Sequence, residues 1–147
     1  MSYVIEGDIE HLRIPNRGVP RVAERLWQHT CCEAFVRLDG SPGYHEFNFS
    51  PSGEWAAYAF ERYREGALPA QPALDPHVSA RATATKLALE AVIRLPLLSA
   101  AHAAAKLALA LSVVVEDKNG SLSYWALHHP AGKPDFHHAD AFALEVD

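Results

Sequence analysis

Sulfur is scarce in this chain: 147 residues hold one methionine, Met1, and two cysteines, Cys31 and Cys32. Neighbouring residues on a strand point to opposite faces, so the adjacent thiols do not bridge each other. They read as two small buried hydrophobes in a reducing compartment. No apolar run is long enough and free enough of charge to cross a bilayer, which argues against a membrane partner. The N-terminus, MSYVIEGDIEHL, lacks the basic start and apolar segment of a secretory signal, and the expected location is cytoplasmic. Positive charge is also short: 13 basic residues against 18 acidic ones give a formal charge of -5. With no basic patch, nucleic acid is not an expected partner. A nucleophile elbow, a phosphate loop and a dinucleotide fingerprint are all missing, so no common catalytic motif marks the chain.

What is present is alternation. The length predicts one domain over residues 1–147, and 49% hydrophobic residues suffice for a core without staples. Residues 26–38, LWQHTCCEAFVRL, read as one long strand, with Cys32, Ala34 and Val36 on one face and Trp27, Glu33 and Phe35 on the other. Asp39 to Gly43 is a turn, and YHEFNF follows as a strand. The Ser-Pro-Ser-Gly turn at 50–53 leads into a strand from Glu54 to about Arg62. Three prolines make 66–77 a loop. Residues 78–95 read as two strands and 97–106 as a short helix. LALALSVVVE then joins LSYWALHH through the Asn119-Gly120 hairpin signal, and AFALEV closes the chain as a strand. About eight short strands with turn punctuation predict an all-β antiparallel sandwich with one short helix near 97–105. The alternative is two helices over the alanine-rich residues 82–110, giving an α+β fold.

If 26–38 pairs with 44–49, then Glu33, Glu46 and Asn48 share one surface, opposite Cys32, Phe47 and Phe49, and Trp27 lies on the same side. Sugars present apolar C–H faces rimmed by hydroxyls, and a site for them needs flat rings beside planar polar groups. The competing reading is an ordinary solvated sheet face. Glu33 and Glu46 also suit an acid/base pair for glycoside hydrolysis, although two carboxylates on a sheet face are common. A second constellation is the Pro/Gly-rich loop bracketed by His128, His129, His137 and His138, which also holds Asp135. His128, His137 and Asp135 are of metal-ligating type, but the spacing fits no standard zinc motif. The competing role is to hydrogen-bond the loop's own backbone, and a loop folded over the sheet would bring His128 to a ligand. Trp55 alternates onto the face opposite Tyr58 and Phe60, and this aromatic run reads mostly as core. Arg62 and Arg64 read as a solvated strand end.

The segments LWQHTCCEAFVRL, YHEFNFSPSGEWAAYAFERYREG and LSYWALHHPAGKPDFHHADAF together resemble a bacterial family of stand-alone DOMON-like domains, related to family 9 carbohydrate-binding modules. The resemblance spans nearly the whole chain and implies an immunoglobulin-like or jelly-roll sandwich with a ligand face. Sugar-binding relatives stack a Trp on the sugar and bond it through a strand-borne Glu and an Asn on the next strand; Trp27, Glu33 and Asn48 match these by motif. Glu46 stands where those relatives often carry an arginine. Trp125 and Phe136 are the candidates for a second, C-terminal aromatic. Haem-binding relatives use Met and His ligands, and with Met1 alone that ligation is not repeated, so no cofactor is expected. The resulting expectation is a non-catalytic domain that binds a small polar ligand, a sugar, through Trp27, Glu33, Glu46, Asn48, Trp125 and His128. The alternatives are an enzyme built on the 128–140 loop and an interaction domain. Open edge strands allow a homodimer.

Overall fold

In a computed structural model, residues 1–66, 68–69 and 72–147 are described. The predicted antiparallel sandwich forms, with two sheets face to face. The smaller sheet has the order β1 (Ser2–Glu6), β7 (Lys86–Val92), β6 (His77–Ala82). The larger runs β10 (Leu144–Val146), β8 (Leu107–Glu116), β2 (Cys31–Leu38), β3 (Tyr44–Phe49), β4 (Trp55–Phe60), β5 (Leu68–Pro69), with β9 (Leu122–Ala126) also on β8. β10 takes residues 107–109 of the free edge of β8 and β9 takes 112–116, so one ten-residue strand serves two short partners.

The core lies between the sheets. Cys32, Ala34, Val36, Phe47, Phe49, Trp55 and Ala57 from the large sheet meet Tyr3, Val78, Leu89 and Ala91 from the small one. Burial of a side chain such as Phe47 contributes about 2–3 kcal/mol. The Tyr3 hydroxyl donates to the Glu33 carbonyl at 2.8 Å and ties the sheets together. Cys31 and Cys32 are free and buried; they join different apolar clusters, as their alternation requires.

The alanine-rich region resolves into strand, strand and helix. β6 and β7 form a hairpin, and the one α-helix, α1 (Ala100–Ala104), is capped by Ser99, whose hydroxyl accepts from the His102 N–H. Two local expectations are corrected, and one strand is new. Residues 26–38 do not form one strand: Arg25 is left-handed at φ 58°, and a 3-10 turn over Leu26–Gln28 precedes the strand at Cys31. The strand after the Ser-Pro-Ser-Gly turn ends at Phe60, because Arg62 and Glu65 close a tight reversal with Arg64 at φ 54°. β1 had no sequence signal, since its ladder pairs Ser2 with Glu90 and Glu6 with Lys86, partners 80 to 88 residues away. The loop expected over 66–77 falls partly outside the described residues, at 67, 70 and 71; around those positions, β5 pairs with β4 and Leu74 is buried in the core. Among the described residues no helix is long and apolar enough to cross a membrane.

Candidate functional site

Register decides which side chains meet on the outer face of the large sheet. β2 pairs Glu33 with Asn48 of β3 and with Ser112 of β8, and Phe35 with Glu46 and Ala110. β4 sets Tyr58 opposite Glu46 and Phe60 opposite Tyr44, while β9 sets Tyr124 opposite Val114. Directly paired residues share a face. Glu33, Glu46, Asn48, Ser112, Tyr58, Phe60 and Tyr124 are therefore gathered on one side, away from the core.

The centre of this face is shielded from water, while Tyr124 at its β9 edge remains 45% exposed. The 127–143 segment returns over it from β9, and the 3-10 turn sets Trp27 edge-on to Tyr58, with ring centroids 6.0 Å apart. Glu33 is only 4% exposed, Glu46 6% and Asn48 0%. Between roof and sheet is a cavity of about 440 Å³, within the range of small-molecule sites. Its walls are Trp27, Tyr58, Phe60, Tyr124, Pro134 and Phe136, and its polar groups are Glu33, Glu46, Arg64 and His137. Asn48 lies beneath the floor and donates to Glu46 Oε1 at 2.9 Å. The Asn48 Oδ1 is buried with no hydrogen-bond partner among the described residues.

The roof is pinned by a polar chain. The Asp135 carboxylate accepts from the Tyr63 hydroxyl at 2.6 Å, from Arg64 Nη2 at 2.8 Å and from the His137 N–H at 3.1 Å. The Tyr44 oxygen accepts from the Arg64 N–H at 3.1 Å and lies 2.8 Å from His137 Nδ1. Because the other ring nitrogen faces the Glu46 carboxylate, Nδ1 is assigned as the acceptor and the Tyr44 hydroxyl as its donor. The imidazole proton then sits on Nε2, which faces Glu46 Oε2 at 3.6 Å. His137 is enclosed by the rings of Phe35, Tyr44 and Phe60.

Burial and charge set the protonation states. Glu33 is pushed up to about 8, first by burial and then by the neighbouring Glu46, against a 3.3 Å hydrogen bond donated by the Ser112 hydroxyl. Glu46 is also raised by burial, opposed by its Asn48 hydrogen bond and by Arg64. His137 is held down to about 4 by burial and by the Arg64 charge, so its ring is neutral at pH 7. The charge of Glu46 therefore favours the protonated form of Glu33, and the two buried carboxyls titrate as a coupled pair.

Of the residues singled out from sequence, Trp27, Glu33, Glu46 and His137 line the cavity. Asn48 lies beneath it. Trp125 is 64% exposed on the opposite face of β9, and His128 is exposed on the roof; neither is in the lining. His128, His137 and Asp135 form no metal cluster, because among the described residues no three His, Cys, Asp or Glu side chains are placed to share an ion. Tyr58 and Phe60, expected in the core, are walls of the cavity, and Arg64 is a clamp rather than a solvated strand end. Tyr124 went unremarked in the sequence. The hairpin register at Asn119-Gly120 carries that signal, since it places Tyr124, and not Trp125, on the Glu33 side.

No protein-family model matches this chain, and no curated protein does. A crystal structure of a putative carbohydrate-binding protein from Bacteroides uniformis is similar at a TM-score of 0.50 and 12% identity. The likeness covers 96% of this chain and 66% of that one. At that identity it is a likeness of fold.

Proposed function

We propose that this chain is a non-catalytic binding domain that takes a small sugar in the cavity between the large sheet and its 127–143 roof. The observation that carries the reading is the make-up of that cavity. Five aromatic rings surround a floor of carboxyl groups held from beneath by an amide, which is the combination a polyhydroxylated ring with apolar faces requires. In this reading Trp27 and Tyr124 stack on the ligand, Glu46 and Glu33 bond its hydroxyls, and Asn48 holds Glu46 in place. Phe136 supplies the C-terminal aromatic, and Trp125 and His128 take no part. The carbohydrate-binding name of the structural neighbour agrees with it, as does the resemblance to DOMON-like domains related to family 9 carbohydrate-binding modules. The domain comprises the whole chain.

Calorimetric titration with a panel of mono- and oligosaccharides tests the proposal. Binding by wild type and its loss in Trp27→Ala, with the unfolding transition unchanged, is the expected result. Saturable binding that survives both Trp27→Ala and Tyr124→Ala would place the ligand elsewhere. Release of reducing ends from an oligosaccharide would replace the binding reading with hydrolysis.

A further inference from the structure

The floor of the cavity is acidic, and among the described residues no cation pairs with it directly: Arg64, in the lining, moderates both glutamates only through space. Glu33 and Glu46 lie on adjacent strands, buried, with hydrogen bonds only from Ser112 and Asn48. The nearest guanidinium, Arg64, spends its contacts on Asp135 at 2.8 Å and the Tyr63 hydroxyl at 3.3 Å. It touches neither glutamate by hydrogen bond among the described residues. His137 faces Glu46 at 3.6 Å but carries no charge at neutral pH. The Cys31 and Cys32 thiols and the Tyr3 hydroxyl, which also sense Glu33, are pushed upward by burial and are neutral too. Beneath this floor the Asn48 side chain is fully buried, and its Oδ1 has no partner among the described residues. Around this floor stand Trp27, Tyr58 and Tyr124, whose ring faces attract cations.

We propose that the cavity selects a cationic sugar, one that carries a free amine, with the ammonium placed at Glu46 and Glu33 and the ring against Trp27 and Tyr124. The inference rests on the sugar-binding reading and adds the charge of the ligand. An ammonium supplies what the floor lacks: a positive charge in direct contact and several N–H donors for the two carboxyls. Its arrival favours ionised Glu33, so the proton that Glu33 holds near neutrality leaves to solvent. Uptake of the amino sugar is thus coupled to proton release.

Matched pairs test it: glucose against glucosamine, galactose against galactosamine and mannose against mannosamine. They are titrated at pH 6.5, where the amine is protonated, in two buffers of different ionisation enthalpy. At least one amino sugar is expected to bind about tenfold or more tightly than its neutral parent, the step worth a charge-assisted hydrogen bond. A net proton release accompanies it. In Glu46→Gln, and separately in Glu33→Gln, the affinity ratio within the pair shrinks toward one; tryptophan fluorescence verifies that each variant is folded. Neutral parents that bind as tightly as their amino forms would overturn the charge selectivity and leave the sugar reading standing. No binding by any sugar, neutral or cationic, would overturn the sugar reading and this inference with it.

Discussion

Replacing Glu33 by glutamine asks whether the cavity floor stores an electrostatic cost. The carboxyl moves from an ordinary 4.5 to about 8 on folding. A group raised by folding binds its proton more tightly in the native state. Its stabilising contribution is therefore complete below pH 4.5 and is lost as pH rises through 8. The span corresponds to about 3–5 kcal/mol between pH 5 and pH 9, the lower figure allowing for the titration it shares with Glu46. Glutamine keeps the shape and the capacity to accept from Ser112 but never ionises. Glu33→Gln should then match wild type within about 1 kcal/mol at pH 5 and exceed it by several kcal/mol at pH 9. Urea unfolding at pH 5, 7 and 9, followed by fluorescence of the buried Trp55, measures both curves. Equal loss of stability in Glu33→Gln at all three pH values would refute the reasoning. It would mean that a specific hydrogen bond, and not charge burial, governs this position.

Other positions give sharper local outcomes. Tyr44→Phe removes the hydroxyl that joins the Arg64 N–H to His137 Nδ1, and should cost about 1–3 kcal/mol by denaturant unfolding. Asp135→Ala frees Tyr63, Arg64 and the His137 N–H together; hydrogen exchange should rise across 134–138 and leave β2 and β3 unchanged. Gly43→Ala places a Cβ 2.9 Å from the Phe60 carbonyl oxygen, with the Glu61 carbonyl at 3.3 Å, so a loss of about 1–3 kcal/mol is expected from backbone that has little room to yield. His137 acts with the opposite sign to Glu33. Its folded value of about 4 lies below the ordinary 6.5, so its contribution is full above pH 6.5 and is lost as pH falls through 4; His137→Gln should flatten that acid limb in a thermal-unfolding pH series.

Period-two patterning placed Glu33, Glu46 and Asn48 on one surface, and the ladders pair them so. That arrangement was legible because Cys32, Ala34 and Val36 alternate with Glu33 and Phe35, and because turn residues bound β3 at both ends. The burial of that surface was not legible. A sheet face of glutamates reads as solvated until something covers it, and the cover comes from residues up to 100 positions away in sequence: the Trp27 turn on one side and the Pro134–His137 roof on the other. Neither is periodic, and each is fixed by side-chain hydrogen bonds or a left-handed residue, features that hydropathy does not register. The same cover changes the meaning of Glu46. On an open face a glutamate is an ordinary surface charge. Under a roof, beside a second carboxyl and a neutral histidine, it is buried, and the cation in its lining, Arg64, moderates its charge while hydrogen-bonding Asp135 and Tyr63 instead. In the proposed reading the ligand supplies a charge in direct contact with Glu46, and Glu46→Gln removes the group that would receive it.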